Sequence, residues 1–294
     1  MSPGPILRGR QSTALVRPNW RQQLGEWRDL LVQCARKPSR KRVHALRSLT
    51  LRLSATLRFQ LVDQPQEPAA LRALRRWTKE GKRLRRTLEP VRDSDVYLAR
   101  LSALQGELTA PAPGKRRLTP RCQREIETLV SKLMRRRKKG IDELVATLAV
   151  QSKQLVRLSE EMEAELKLQI PLRIESTAQP ALRIFAELAG ELPHLGAANL
   201  HAFRKHLKRV LYLAEISAAF DPEAGRLVTM FRKMHGATGD WHDWQTLALK
   251  ARRILPGSKR SAGLVPMLER LANESLNRTL DLSRAAVEHI FKTA

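Results

Sequence analysis

The sequence predicts an all-α protein. Three observations predict it: apolar residues recur at three- and four-residue spacing over long stretches, no stretch sustains the alternation of a half-buried strand, and prolines with small polar residues cut the chain into helix-length pieces. The cuts fall at Pro38-Ser39, Pro65 to Pro68, Pro111 to Gly114, Pro171, Pro180, Pro193 to Gly196, Pro222 and Pro256-Gly257. Helices are therefore expected at 20–36, 40–62, 69–88, 91–107, 119–168, 179–190, 197–220, 222–235, 241–254 and 262–291.

The segment 1–19 mixes charge with proline and holds no apolar run long enough for a signal peptide or a membrane span, so it reads as an N-terminal extension. At 40–62, a turn of about 100° per residue gathers Val43, Leu46, Leu49, Leu53, Leu57 and Leu61 on one side. Leu71, Leu74, Trp77, Leu84 and Leu88 form the apolar side of 69–88. The pattern at 119–168 is long enough to run between two halves of the chain, and it carries the charge run Arg135 to Lys139, read either as its solvated face or as an auxiliary anion contact. In 197–220 the apolar side is Leu200, Phe203, Leu207, Val210 and Ala214, and Gly236 and Gly239 are expected to interrupt the helical pattern between 222 and 254.

Charge narrows the function. The chain has 294 residues, 42% of them hydrophobic, enough to bury a core as one large domain or two modest ones, yet 55 Lys and Arg face 29 Asp and Glu for a net +26. Residues 1–150 hold 34 of the cations and 13 of the acids, so the field is concentrated in the first half. Arg outnumbers Lys 39 to 16, and the planar guanidinium fork suits phosphate oxygens. The partner is expected to be a polyanion: nucleic acid, a phosphate polymer or an anionic membrane surface, with no membrane insertion. Two cysteines, Cys34 and Cys122, are too few for a metal cage, and a reducing, cytoplasmic setting is expected.

The cations are ordered along helices. Opposite the leucines of 40–62 stand Arg40, His44, Arg47 and Arg58, flanked by Lys41 and Arg52, with no acid between Arg36 and Asp63. Opposite the apolar side of 69–88 stand Arg72, Arg75, Arg76, Lys79, Lys82, Arg83 and Arg86. His201, Arg204, Lys205, Lys208 and Tyr212 share a face in the second half, where Glu215 occupies the position equivalent to Arg58. Like charges three or four residues apart repel by some tenths of a kcal/mol, so such stripes are mildly unfavourable until an anion arrives. If the helices pack as antiparallel neighbours, the three stripes converge on one basic channel.

An internal repeat supports convergence. VHALRSLTLRL at 43–53 and LHAFRKHLKRV at 200–210 align without gaps, sharing His, Ala, Arg and Arg, and each is followed by a further helix and a basic-acidic pair, Arg92-Asp93 and His242-Asp243. His44 and His201 either donate to phosphate oxygen or serve as structural histidines. Asp93 and Asp243 are expected to fix helix ends or orient a basic residue rather than act on a substrate. No glycine-rich phosphate loop and no zinc-like spacing is present; His235, Asp240, His242 and Asp243 are the nearest metal candidate, and the intervening glycines argue against it. Phosphoryl transfer relies on carboxylate-held metal, and the first half is poor in acids, so catalysis is not expected.

The segments VHALRSLTLRLSATLRFQ, EPVRDSDV, LHAFRKHLKRVLYLAE and GDWHDW together resemble the CHAD family, the helical domain named for its histidines. His44, Arg47, Arg52 and Arg58 match the first element of that family, and His201, Arg204, Lys208, Arg209, Tyr212 and Glu215 the second; Leu51, Ser54, Glu89 and Leu211 depart from it. The resemblance implies a single domain over 20–292, with repeats at about 20–150 and 155–292 forming two four-helix bundles related by a pseudo-twofold axis. It also implies a central basic surface binding inorganic polyphosphate, at polyphosphate granules; no cofactor is expected. Two other readings stay open: a sequence-nonspecific nucleic-acid-binding protein, and a polyphosphate hydrolase or its regulator. Tyr212 is the lone aromatic on the basic stripes, which is little for stacking bases.

Overall fold

The computed structural model describes residues 20–60, 67–109, 119–166, 185, 187, 190, 195–218, 222–255 and 263–293; within it the side chains at 58–60, 108–109, 217, 223, 287 and 289–293 are left aside. Among the described residues there are seven helices and no strand. These are α1 (Trp20–Arg36), α2 (Arg40–Gln60), α3 (Pro68–Thr109), α4 (Pro120–Glu165), α5 (Leu200–Ser217), α6 (Pro222–Ile254) and α7 (Leu264–Thr293). Most of the helix expected at 179–190 lies outside the described residues.

Two expected breaks are not breaks. Pro90 sits inside α3, although an interior proline costs roughly 3 kcal/mol through a lost hydrogen bond and a clash with the preceding turn. Close packing compensates: α4 presents Gly140 at this point, where a Cβ would stand 3.3 Å from Val91 Cγ2 and 3.6 Å from Pro90 Cβ. Ser94 Oγ donates to the Pro90 carbonyl at 2.8 Å. Likewise α6 runs unbroken through Gly236 and Gly239, each costing about 1 kcal/mol relative to alanine. The buried Phe231, Met234, Trp241 and Leu247 on either side hold the helix to its neighbours.

The helix starts follow local rules. Thr119 caps α4 by accepting from the Cys122 amide at 3.2 Å with Pro120 as the first helical residue, and Ser39 accepts from the Arg42 amide at 3.3 Å as α2 begins. Glu125 of α4 accepts from the Leu264 amide at 2.7 Å, tying the start of α7 to the first half.

Three cores hold the helices. The first joins α1, α2, the N-terminal part of α3 and the C-terminal part of α4, with Trp27 edge-on to Trp77 at 5.7 Å and its Nε1 donating to Thr50 Oγ1 at 2.8 Å. The second joins α5, the N-terminal part of α6, Ala286 of α7 and Phe185. The third lies between them and draws on both halves: Tyr97, Leu101 and Leu104 of α3, Ile126, Leu129 and Leu133 of α4, Leu247, Ala248 and Ala251 of α6, and Leu264, Val265 and Leu268 of α7. Burying each large apolar side chain contributes about 1.5–3 kcal/mol, so this shared core binds the halves firmly. Contacts of α2 with α5, α3 with α6 and α4 with α7 complete the join. Of the run at 135–139, Arg137 bridges to Asp95 of α3 at 2.5 Å while Arg135, Arg136, Lys138 and Lys139 are exposed. Cys34 and Cys122 are buried and not joined in a disulfide, and among the described residues no helix is long and apolar enough to cross a membrane.

Candidate functional site

Val43, Leu46, Leu49, Leu53 and Leu57 turn α2 toward the first core, and Leu200, Phe203, Leu207, Val210 and Ala214 turn α5 toward the second. Their polar sides are left to meet where the two helices pack. His44 and Arg47 arrive from α2, and Arg204, Lys208 and Tyr212 from α5. Arg85 and Arg92 of α3 and His235, His242 and Asp243 of α6 enter the same electrostatic neighbourhood. Arg47 is anchored by donating to the Arg85 main-chain carbonyl at 2.7 Å, with Glu89 at 3.6 Å.

Four arginines of this group act on Lys208. Burial, reinforced by Arg204, Arg47, Arg85 and Arg92, pushes its ammonium down to about 7, and its Nζ rests 5.8 Å from the Tyr212 ring centroid. Burial also pushes the Tyr212 hydroxyl up to about 12, keeping it a neutral donor. The Arg204 guanidinium is lowered by burial as well, with the attraction of Asp243 working against Arg92 and Arg47, and its Nε is buried without a hydrogen-bond partner.

One carboxylate does most of the neutralising. Asp243 has Arg92 Nη2 3.5 Å from Oδ1 and Arg100 Nη2 3.6 Å from Oδ2, and Arg100 also meets Asp240. Burial raises the Asp243 carboxyl against the pull of Arg92, Arg100 and Arg204. For Arg92, burial acts to lower the guanidinium, but Asp243 and Asp93, the latter at 3.0 Å, outweigh it and raise it. Both basic-acidic pairs therefore sit in mid-helix and orient arginines. Of the two roles expected for Asp93 and Asp243, fixing helix ends is corrected, because α3 and α6 run through the positions where ends were expected, while orienting a basic residue agrees with their arginine pairs.

The histidines are kept neutral. Burial, then Arg204 and Lys208, pushes His235 down to about 4, and its Nε2 is buried without a partner. His242 is pushed to about 4 by burial, Arg204 and neighbours, and its ring lies 5.2 Å from that of His201. His201 is lowered by burial, Lys205 and Arg204, and His44 by partial desolvation, then Arg92, Lys208, Arg40 and Arg47. Among the described residues no three His, Cys, Asp or Glu side chains are grouped to hold a metal ion. Asp240 and Asp243 are engaged by Arg100 while His242 faces His201.

The α3 stripe divides. Arg85 and Arg92, seven residues apart, define its inward direction, and about 100° per residue places Lys82, Arg75 and Arg86 roughly 60–100° away on the rim. Lys79, Arg72, Arg83 and Arg76 lie roughly 120–180° away. Arg76 accordingly stands 3.6 Å from Glu161 of α4, Arg83 pairs with Glu80 at 2.7 Å, and Arg76, Lys79, Glu80, Gln154, Arg157 and Glu161 line an outer cleft of about 450 Å³. Arg40, Lys41, Lys205 and Arg209 are exposed on α2 and α5, and the Arg58 side chain lies outside the described residues. Arg52 of α2 meets Glu215 of α5 at 3.3 Å.

Arg85 and His235 were not among the residues singled out from the sequence as binders. Arg85 was findable from its seven-residue spacing to Arg92, a register lost by ending a helix before Pro90.

The family model described as CHAD domain matches residues 20–252, most of the chain and every element that builds the central group. No curated protein and no solved structure matches.

Proposed function

The chain belongs to the CHAD domain family, and on that premise we propose that it binds inorganic polyphosphate without chemical turnover, along the basic face between α2, α3, α5 and α6. One observation carries the reading: Arg204, Arg47, Arg85 and Arg92 all act on the largely buried Lys208 ammonium, and the main acid nearby, Asp243, is already shared by two arginines. Such a group gathers more cationic than anionic charge at a folding cost, and a flexible polyanion relieves that cost while releasing its own counterions. Neutral His44, His201 and His242 and the Tyr212 hydroxyl add hydrogen-bond donors that do not add repulsion. The face offers phosphate contacts with a single aromatic platform, which suits a polymer without bases better than a nucleic acid. The two carboxylates of the basic-acidic pairs, Asp93 and Asp243, are held by arginines, which supports a binding role over a hydrolytic one.

In this reading the halves are two four-helix bundles about a pseudo-twofold axis passing between Arg47 and Arg204, equivalent positions of the repeat, with α4 leading from one bundle to the other. The polymer threads between them, and binding would bring the protein to cytoplasmic polyphosphate granules. The test is titration with sized polyphosphate at several salt concentrations, alongside competition with labelled RNA and incubation with Mg²⁺ or Mn²⁺. Affinity should rise with chain length to a plateau, fall steeply with salt, and displace the RNA, with chain length unchanged over hours. RNA that resists displacement would favour a nucleic-acid binder, and shortening of the chains an enzyme.

A further inference from the structure

The basic face does not end the same way on both sides of the repeat. In the second half Glu215 takes the position that Arg58 holds in the first. Its carboxylate joins two helices at once: Arg52 Nε of α2 lies 3.3 Å from Oε2, and Arg232 of α6 donates to Oε1 through Nη2 at 2.9 Å and Nε at 3.2 Å. The acid is the fixed member of this trio. Its side chain is only 14% exposed, whereas Arg52 is 45% and Arg232 63% exposed, so the guanidinium groups are the parts free to turn. Beside them opens a cavity of about 320 Å³ lined by Gln23, Thr56, Tyr212 and Val228 as well as the trio. Tyr212 links it to the central group through Lys208, one turn away on α5.

Exposed ion pairs of this kind contribute little to stability, in the range of about 0–1 kcal/mol. Their effect on a polyanion is larger, because a carboxylate facing both arginines withdraws two cations from the binding face.

We propose that Glu215 ends the anion-binding tract at this mouth, holding Arg52 and Arg232 back from the polymer and so limiting how many phosphates the face engages. This deepens the polyphosphate reading and rests on it. A chain long enough to reach the mouth must compete with a built-in carboxylate for each arginine, while a shorter chain confined to the centre does not meet it.

The experiment compares the unsubstituted protein with Glu215→Gln, using polyphosphate of graded length. The variant keeps the shape of the side chain and removes its charge. For long chains its affinity should rise on the order of threefold to tenfold, and its log affinity against log salt should steepen by about 1–2 because two further cations take part. Short chains should bind both proteins alike, and the length at which affinity levels off should move upward. Arg52→Gln should cost more in the Glu215→Gln background than alone, since only there is Arg52 released to the ligand. Glu215→Asp keeps the charge but draws it back by one methylene; it covers the case in which the first variant fails to fold and should show the same changes at smaller size. Unchanged or weaker long-chain binding by a folded variant, with the same salt slope, overturns the inference and leaves the polyphosphate reading standing. Failure of the unsubstituted protein to bind polyphosphate of any length removes both.

Discussion

The central face and the outer cleft between α3 and α4 use the same residue types at the same helical spacing, and only in the centre do many cations crowd around little acid. In the outer cleft Arg76 and Arg157 share Glu161 at 3.6 Å and 3.1 Å, and Arg83 has Glu80 at 2.7 Å. Every one of these cations has an acid on its own helix or the next, in water. In the centre Arg47, Arg85, Arg92, Arg204 and Lys208 crowd together with Asp243 as the main counter-charge, and burial is the largest influence on Lys208, Arg204, His235 and His242. Periodicity places cations on a face; how much acid they meet there is decided by the neighbouring helices and by how far water is excluded.

The sharpest way to break this contrast is to remove one acid from each region. Asp243→Asn leaves Arg92, Arg100 and Arg204 half-buried with their shared partner gone, and breaking such a network costs about 3–5 kcal/mol. Glu161→Gln, on the exposed cleft, should cost no more than about 0.5 kcal/mol. Denaturant melts of the two variants check the difference. Equal losses would mean that the central group is as well hydrated as the outer one and that its arrangement holds no stored repulsion.

Lys208→Met tests the contrast from the side of the cations. A charged ammonium is disfavoured at this position, so methionine, with a similar stem and no charge, should raise stability by about 1 kcal/mol while weakening polyphosphate binding at least tenfold. Arg157→Ala, in the outer cleft, should leave binding within twofold. The sign of the pH effect follows from the direction of the shift. With the native Lys208 near 7 and its ordinary value at 10.5, the unfolded chain carries the extra proton between those limits. Stability of the free protein therefore rises with pH across that window, and the rise is lost as pH falls through about 7. Lys208→Met should flatten it.

A bound polyanion would reverse the preference. Arg47 and His44 of α2, Arg85 and Arg92 of α3, Arg204 and Tyr212 of α5 and His235 of α6 surround the ammonium without neutralising it, and phosphate oxygens would restore its proton. Binding near pH 8.5, where the histidines are silent, should take up a proton in the unsubstituted protein and none at this site in the methionine variant. Calorimetry in buffers of different ionisation heat reads this directly.

Much of this architecture was legible in the sequence. The leucine rows of α2 and the Phe203 row of α5 are buried as their spacing requires, because a helix with one apolar side has one way to face a core. The joins at Pro90 and at Gly236 and Gly239 were not legible. A proline in mid-helix is tolerated here because Gly140 on another helix lets α4 come close, and sequence periodicity within α3 carries no information about α4. The same limit applied to the site. His44, Arg47, Arg204 and Lys208 could be assigned to polar faces from their own helices, but the division of the α3 stripe between Arg92 and Arg76 depends on Asp243 and Glu161, which are distant in the chain. Arg85 was hidden by a misplaced helix end rather than by any lack of signal.

The smallest expected effect concerns His44, which stands at the edge of the contrast: it is exposed, yet the central cations act on it. Partial desolvation, Arg92, Lys208, Arg40 and Arg47 all lower its imidazole from 6.5, so in the free protein it is neutral at pH 7 and gains its proton only as the solution becomes more acid. A phosphate contact would raise it again. Affinity of the unsubstituted protein should then strengthen from pH 8 to pH 6 by a few-fold more than that of His44→Gln, which can donate a hydrogen bond but cannot take up the proton. Fluorescence titration at the two pH values separates this from the Lys208 effect, because Lys208 acts in both proteins. Identical profiles would place His44 outside the ligand's reach and draw the border of the central face at Arg47.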